Sequence, residues 1–218
     1  KVVIARRTST TADSLLTPTD LLAFMSRKDD RSFRFMFQPR PGVAFVSVTP
    51  ERLFSLTGHN VHTEAIAGTR RRGKSPKEDQ QLRQELSAST KDVLEHQIVH
   101  ESIASTLSSL CTETKSSTTT VLCLPAVQHL MSRLSGSLSP SVGIADLIQA
   151  LHPTPAVGGY PTEIAHHFLA LHEKFDRGWY AAPVGFIGRE EATFAVAIRS
   201  ALFHDDTVSL YTGNGVVH

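Results

Sequence analysis

Four short segments between Phe33 and Ala67 constrain the fold of this chain more than any other feature. Aromatic and β-branched side chains recur in each of them, and turns rich in Gly, Pro and Asn separate them. This pattern predicts strands, and the short connections predict that consecutive strands pair as an antiparallel meander. The predicted strands are Phe33–Phe37, Val43–Val48, Arg52–Leu56 and Val61–Ala67.

Helices and further strands are predicted on both sides of this meander. Val2–Ala5 is expected to be a buried strand, and Thr11–Asp30 to hold helical pieces. A helix is expected from Ser75 to about Leu110, broken near residues 87–90, and the Ser/Thr-rich segment Cys111–Thr120 predicts a surface loop. Two further helices are predicted at Ile144–Leu151 and Pro161–Phe175, and the second is expected to turn Ile164, Phe168 and Leu171 inward. A second sheet is predicted from Tyr180–Ile187, Ala192–Leu202 and Val208–Tyr211. Two halves that each combine helices with antiparallel strands indicate the α+β class.

The charge balance and the cysteine count exclude several classes of partner. Lys and Arg number 22 against 21 Asp and Glu, for a formal net charge of +1, so no broad basic surface for nucleic acid or an anionic membrane is implied. Two cysteines are too few for a disulfide framework and favour a reducing compartment. The sequence has no apolar run that could span a bilayer and no signal-peptide pattern. Because the chain opens in an apolar run and closes without a terminating signal, we expect a fragment of a longer polypeptide.

Four charged residues are predicted to point towards the interior. Glu51 follows Pro50 on the inward face of the meander, Glu95 lies one helical turn before an apolar stripe, Arg199 ends a row of alanines, and Lys1 starts the first strand. Singly, each has an ordinary explanation, such as a turn cap, a helix ion pair or a lysine that reaches solvent. Together they offer a base, an acid, a ligand for a hard cation and a cation for a substrate carboxylate.

Two glycine-containing stretches have both a structural and a functional interpretation. Leu151–Gly159 contains two prolines, which restrict the backbone, and two glycines, which allow another group to approach closely. It is either a helix stop followed by a turn or part of a site. Gly213-Asn214-Gly215 is either a hairpin turn or a source of backbone N–H groups for an anion.

The other histidines carry weaker signals. His96 and His100 have the four-residue spacing of a zinc pair, but without a third ligand in a recognisable motif they favour a polar helix face. His166 and His167 are interpreted as surface or helix-packing residues. His129 lies within reach of a site only if the fold brings it there.

Eight motifs resemble those of chorismate-utilising enzymes and are most similar to isochorismate synthases. This combination is far more specific than a single glycine motif. The resemblance implies one chorismate-binding catalytic domain over residues 1–218, incomplete at both ends. It also implies an α+β fold of two orthogonally packed antiparallel sheets flanked by helices, as in anthranilate synthase component I. The motifs are Lys1–Arg6, Thr49–Leu53, Ala65–Arg70, Lys91–His96, Leu151–Gly159, Arg177–Tyr180, Ala197–Ser200 and Tyr211–Gly215.

The resemblance also implies site residues and Mg²⁺ as cofactor. Lys1 would be the general base that activates water for attack at C2 of chorismate. Glu51 would be the general acid that protonates the departing C4 hydroxyl, so that isochorismate forms. Glu95 would be a ligand of the Mg²⁺ that holds the substrate C1 carboxylate. The residues implied to bind substrate are Gly68, Thr69, His152, Ala156, Tyr180, Ile198, Arg199, Gly213 and Gly215.

Two alternatives to an active isochorismate synthase stay open. Enzymes of the family that use ammonia carry glutamine at the position of Lys1, whereas salicylate synthases share the lysine and then eliminate pyruvate. The family pattern continues after this chain with an acidic motif that supplies a second Mg²⁺ ligand and with a substrate-binding lysine. We therefore expect the 218 residues alone to be impaired, and a non-catalytic chorismate-binding module of a larger fusion protein is the second alternative.

The expected setting follows from the same resemblance. It is the cytoplasm or the plastid stroma, in menaquinone, phylloquinone, salicylate or siderophore biosynthesis. Chorismate is the expected small-molecule partner, and fusion to further pathway domains is an open expectation.

Overall fold

The computed structural model describes residues 1–12, 16–27 and 32–217, and within them the chain forms strands and helices in an irregular alternation. The predicted helical pieces between Thr11 and Asp30 correspond to one helix, α1. Positions 13–15 and 28–30 of that prediction lie outside the described residues. The elements are β1 Val2–Thr11, α1 Pro18–Ser26, β2 Phe33–Arg40, β3 Val43–Thr49, β4 Arg52–Thr57, β5 Asn60–Arg71, α2 Pro76–Ala88, α3 Thr90–Leu110, β6 Cys111–Ser116, β7 Thr120–Cys123, β8 Val127–Leu138, α4 Ile144–Leu151, α5 Thr162–His172, β9 Pro183–Ile187, β10 Glu191–Val196, β11 Ser200–His204 and β12 Thr207–Val216.

The strands form two antiparallel sheets. Sheet A has the order β1-β12-β11-β3-β2, and sheet B has the order β6-β8-β5-β4-β10-β9 with β7 also paired to β8. The expected α+β architecture of two antiparallel sheets flanked by helices is confirmed.

The predicted assignment of strands to sheets was wrong. The chain leaves sheet A after β3 and enters sheet B at β4, so the predicted meander is two hairpins in two sheets. It returns from sheet B after β10 and enters sheet A at β11, so the predicted second sheet is also divided. Alternation of apolar and polar side chains indicates that a segment is extended, whereas the sheet to which it belongs depends on pairing between residues far apart in sequence. Strands that switch sheets in this way form the corners of packed sheets.

The main hydrophobic core lies between the sheets and α3. Phe45 of sheet A and Phe54 of sheet B are buried in it, and the Phe54 ring stacks on Phe194 at a centroid distance of 5.2 Å. The predicted apolar stripe of α3 is confirmed, since Val99, Ile103 and Leu107 are all buried there. This packing determines the rotation of α3 and therefore the direction of the side chain one turn earlier.

Two local predictions were wrong. Cys111–Ser116 forms edge strand β6 instead of a loop, because one edge of the strand pairs with β8 while most of its side chains remain in solvent, where Ser and Thr are favourable. In α5 the inward residues are Ala165 and Leu169, whereas the three residues predicted to face inward, Ile164, Phe168 and Leu171, are all exposed. The helix packs directly against the backbone at Gly159, where an added Cβ would lie 2.7 Å from the Ala165 Cβ. A small side chain therefore faces inward at this position.

None of the helices in the described part of the chain has the length and apolar character needed to cross a membrane.

Candidate functional site

A cavity of about 470 Å³ lies where the chain crosses between the two sheets. The fold collects residues at this cavity from β1, β5, β12, α3, both crossings and the segment that follows α4. Of the twelve residues implied by the resemblance, the eleven that line it are Lys1, Glu51, Gly68, Thr69, Glu95, Ala156, Tyr180, Ile198, Arg199, Gly213 and Gly215.

The two crossings place Glu51 and Arg199 at the same cavity. The Val196 N–H donates to the Glu51 carbonyl at 3.0 Å, and the Val48 N–H donates to the Arg199 carbonyl at 3.2 Å. The Ser47 hydroxyl donates to the carbonyl of the neighbouring residue 198 at 2.7 Å. Each crossing thus accepts hydrogen bonds from a strand next to the other crossing. For this reason, residues almost 150 positions apart in sequence border one cavity.

Lys1 and Glu95 form an ion pair inside the cavity. The Lys1 side chain is 1% exposed and the Glu95 side chain 15% exposed, and the Nζ–Oε1 distance is 3.1 Å. The predicted inward direction of Glu95 is confirmed. Its partner is Lys1, although Lys91 lies nearer along its own helix.

Burial shifts the protonation of Lys1 and Glu51 in opposite directions. Desolvation lowers the pKa of Lys1, against the attraction of Glu95 and Glu51, which raises it. Desolvation raises the pKa of Glu51 to about 7, although the charge of Lys1 and a hydrogen bond from Thr154 lower it. Burial therefore shifts the amine towards its neutral form and the carboxyl group towards its protonated form in one cavity, which suits a base and an acid.

Gly213 and Gly215 lack side chains at the positions where the Tyr180 and Glu95 side chains lie. Both lie in β12, opposite Ala5 and Val3 of β1, so the interpretation of this stretch as a hairpin turn was wrong. A Cβ on Gly213 would lie 2.5 Å from the Tyr180 hydroxyl oxygen, and a Cβ on Gly215 would clash with a Glu95 carboxylate oxygen. These positions require glycine because side-chain oxygens already fill the volume.

A bulge in β5 brings Gly68 and Thr69 to the cavity together with His129. The pairing of β5 with β8 shifts between Ala67 and Thr69, and Gly68 has a φ of 72°. Thr69 lies opposite His129, whose Nδ1 is 3.0 Å from the Thr69 hydroxyl oxygen and 3.3 Å from the Gly68 carbonyl oxygen. Burial lowers the pKa of His129. The sequence contained only a weak signal for this residue, because the strand register is what brings it to the site.

The stretch Leu151–Gly159 contacts Glu51, and Tyr160, which directly follows it, contacts Lys1. The buried Thr154 hydroxyl donates to Glu51 Oε1 over a long 3.5 Å, and the Tyr160 N–H donates to the Lys1 carbonyl at 2.9 Å. Thr154 was missed by the sequence analysis, since a lone threonine between prolines has no distinctive pattern. The functional interpretation of this stretch is the one that its contacts support.

His152 is the one predicted residue that the structure does not bring to the cavity. It borders a neighbouring cavity of about 570 Å³, together with His166, Leu169 and Phe175. Its Nδ1 is buried and has no hydrogen-bond partner among the described residues.

The predicted polar helix face at His96 was also wrong. His96 is buried and its Nε2 lies 3.3 Å from the Ser132 hydroxyl oxygen, while His100 contacts the Ser116 hydroxyl at 2.8 Å. Across the described ranges, no three His, Cys, Asp or Glu side chains form a group that could hold a metal.

The donor chemistry of the cavity nevertheless fits Mg²⁺ bound together with a substrate. Mg²⁺ is commonly held by one or two carboxylates and completes its coordination with water and substrate oxygens. Glu95 presents a carboxylate to the cavity, where the Lys1 ammonium pairs with it. The residues present therefore fit an ion held partly by substrate, not a site built from protein ligands alone.

Comparison with known proteins gives one consistent family. The family described as "Chorismate binding enzyme" matches residues 1–218. The isochorismate synthase of Catharanthus roseus, named as chloroplastic, is 41% identical over all of this chain and 38% of its own length. Isochorismate synthase MenF of Bacillus subtilis is 38% identical over all of this chain and 46% of its own length.

Solved structures agree with this result. MenF, the menaquinone-specific isochorismate synthase of Escherichia coli, has a TM-score of 0.93 at 33% identity over 99% of this chain and 50% of its own length. Anthranilate synthase component I of Streptococcus pneumoniae, at 22% identity and a TM-score of 0.88, shares the fold. The chain thus spans about half or less of the length of these relatives.

Proposed function

This chain belongs to the chorismate-binding enzymes, and from that premise we propose that its full-length gene product is an isochorismate synthase that converts chorismate to isochorismate with Mg²⁺. The observation that carries the proposal is the pair of opposite pKa shifts at Lys1 and Glu51 in one cavity. Water is a poor nucleophile and hydroxide a poor leaving group, so this isomerisation needs a base at one carbon and an acid at the other.

Lys1 acts on the incoming water. Its buried Nζ accepts a proton as the water oxygen bonds to C2 of chorismate, and the lowered pKa increases the fraction of neutral amine that can accept it. The Glu95 carboxylate, 3.1 Å from Nζ, then stabilises the ammonium that results.

Glu51 acts on the departing hydroxyl. A pKa of about 7 keeps a large share of this carboxyl group protonated near neutral pH, so it can donate as the C4–O bond breaks and water leaves. Thr154 orients the carboxyl group through its contact with Oε1. The proton that Lys1 gains and the proton that Glu51 loses balance, which makes the overall reaction an isomerisation.

Binding of the substrate carboxylates is assigned to the remaining lining residues. Mg²⁺, when bound, supplies positive charge to the C1 carboxylate, and Glu95 is the residue of this chain that would hold the ion. Arg199, Tyr180 and the backbone of Gly213 and Gly215 form the wall proposed for the pyruvyl group, where a guanidinium offers paired donors to a carboxylate. The other proposed substrate contacts are Gly68, Thr69, Ala156 and Ile198, whereas His152 would need to act from the neighbouring cavity.

Incubation of the full-length gene product with chorismate and Mg²⁺, followed by product separation, tests the proposal. Isochorismate as the product supports it. Salicylate and pyruvate would support the salicylate synthase alternative, and chorismate binding without turnover would support the non-catalytic module.

A parallel assay tests the contribution of segments beyond residue 218. The 218-residue chain and a C-terminally extended form are compared with chorismate and Mg²⁺, and we expect faster turnover by the extended form. Equal turnover would contradict the expected need for a second acidic ligand. The cytoplasm or the plastid stroma is the proposed setting; two plant relatives are named as chloroplastic.

A further inference from the structure

Strand β1, which Lys1 directly precedes, is an edge of sheet A, yet its outer edge has hydrogen-bond partners. Backbone groups of alternate residues in a strand point to the same side, so those of residues 1, 3 and 5 face outward together. The Lys1 carbonyl accepts from the Tyr160 N–H at 2.9 Å. The next two outward groups are bound by side chains.

Those side chains are Arg177 and Glu173. Arg177 Nη2 donates to the Val3 carbonyl at 2.8 Å, and Glu173 Oε1 accepts from the Ala5 N–H at 2.6 Å. The two side chains also bind each other at two points, Nε to Oε2 at 2.7 Å and Nη2 to Oε1 at 2.6 Å. An ion pair therefore replaces a neighbouring strand beside β1.

The same guanidinium also binds the wall of the cavity. Arg177 Nη1 donates to the Val157 carbonyl at 2.9 Å, and Val157 borders the cavity that contains Lys1. Its guanidinium carbon lies 5.9 Å from the ring centroid of Tyr180, another residue of that wall. Neither Arg177 nor Glu173 lines that cavity, and their side chains are 21% and 6% exposed.

We propose that the Glu173–Arg177 pair is a positioning clamp that holds the start of β1 against the segment around Val157 and thereby sets the position of Lys1. This inference rests on the proposed function, in which Lys1 is the base. Loss of alignment of about 1 Å at a catalytic group is enough to lower a rate by about 100-fold. Lys1 lies two residues from Val3, so movement of β1 is transmitted directly to it.

The clamp specifically requires arginine at position 177. Three nitrogens of one planar group bind two carbonyls and a carboxylate at once, which a lysine ammonium on a flexible stem cannot reproduce. At position 173, glutamine retains an acceptor for the Ala5 N–H, whereas alanine does not. Arg177→Lys and Glu173→Ala are thus the disruptive variants, and Glu173→Gln is the conservative one.

Kinetics of the full-length gene product test the clamp. We expect Arg177→Lys to lower kcat about 30- to 100-fold with less than a threefold change in the KM for chorismate, and Glu173→Gln to retain more kcat than Glu173→Ala. Arg72→Lys is the matched control, because Arg72 makes the same two-point contact with Asp79, at 2.8 and 2.7 Å, and donates to the Leu124 carbonyl at 2.9 Å. An equal fall of kcat in both lysine variants would overturn the proposal, as would an unchanged kcat in Arg177→Lys.

Hydrogen exchange separates failure of the clamp from failure of the proposed function. Amide exchange in the peptide that contains Ala5 is measured by mass spectrometry without substrate, so it does not depend on turnover. We expect exchange at least tenfold faster in Glu173→Ala than in the unmodified protein, and a smaller change in Glu173→Gln. Unchanged exchange in Glu173→Ala would overturn the clamp even if the unmodified protein produces isochorismate, and faster exchange would support the clamp even if it does not.

Discussion

Two largely buried ion pairs, Lys1–Glu95 and Arg177–Glu173, differ in how completely hydrogen bonds satisfy their charges. Lys1 and Glu95 meet through one contact of 3.1 Å beside an open cavity. Arg177 and Glu173 meet through two contacts and bind three backbone groups in addition. A partly satisfied buried charge has a perturbed pKa and can exchange partners, whereas a saturated one is suited to holding its surroundings in place. The comparison assigns reactivity to the first pair and rigidity to the second.

The largest expected effect is the loss of the base in the reactive pair. Lys1→Ala in the full-length gene product should lower kcat for isochorismate formation by about 10³- to 10⁴-fold, the upper range for a general base. Chorismate binding, measured by calorimetry with Mg²⁺, should persist. Lys77→Ala, on the exposed surface of α2, is the control. Retained isochorismate formation in Lys1→Ala would reject Lys1 as the base.

Replacement of the acid should reduce activity and change the pH dependence of stability. Glu51→Gln cannot donate the proton, so kcat should fall about 10²- to 10³-fold. The folded-state pKa of about 7 exceeds the ordinary 4.5, so the unmodified protein loses folding free energy as pH rises from about 4.5 past 7. Glutamine removes this loss, and the variant should be more stable at pH 8 by at most about 3 kcal/mol, at about 1.4 kcal/mol per pKa unit.

Urea unfolding at pH 5 and pH 8 measures this difference. The stability gain of Glu51→Gln over the unmodified protein should be larger at pH 8 than at pH 5. An equal gain at both pH values would show that burial does not raise the pKa of Glu51.

A smaller effect is expected when the reactive pair is displaced and both its members are kept. The methyl group of Gly215→Ala would occupy the position of a Glu95 carboxylate oxygen and lie 3.5 Å from Lys1 Cε. We expect kcat to fall about 100-fold through misalignment and the Mg²⁺ concentration needed for half-maximal rate to rise. Gly143→Ala is the control, because its Cβ would make only an ordinary 3.6 Å contact with Asp146. A Gly215→Ala protein with unchanged Mg²⁺ dependence would contradict the assignment of Glu95.

The less reactive pair, Glu173–Arg177, should contribute more to the stability of the fold than Lys1–Glu95 does. Glu173→Ala leaves a largely buried guanidinium without its carboxylate and the Ala5 N–H without its acceptor, so the free energy of unfolding should fall by about 3 kcal/mol. Glu95→Ala leaves an amine whose pKa is already lowered by burial and that can lose its proton, so its cost should stay below about 1 kcal/mol at pH 8. Denaturant unfolding of both variants measures this comparison, which fails if the two costs are equal.

The smallest expected effect concerns His129. His129→Gln keeps a hydrogen-bonding side chain near Thr69 but alters its geometry, so we expect a five- to tenfold rise in the KM for chorismate, equivalent to about 1 kcal/mol. His167→Gln, on exposed α5, is the control. An unchanged KM would show that Thr69 does not need His129 for its orientation.

Much of the fold and of the site was predictable from particular residues. Helix α4 has the predicted bounds Ile144–Leu151, and the apolar stripe of α3 correctly oriented Glu95, because periodicity within one element is a local property. The eight motifs implied twelve site residues, and eleven of these line one cavity. The location of His152 and the roles of Thr154 and His129 were not accessible in this way, since each depends on contacts between distant segments.

The sequence by itself determined most of the elements, the family and the chemical identity of the site residues. Tertiary structure decided which strands share a sheet, and the two crossings between sheets are what bring Glu51 and Arg199 together. It also decided the direction in which the pKa values of Lys1 and Glu51 shift, because desolvation and neighbouring charge are properties of the assembled cavity. A local pattern specifies a periodicity of side chains, whereas burial and strand pairing depend on residues that only the complete fold brings into contact.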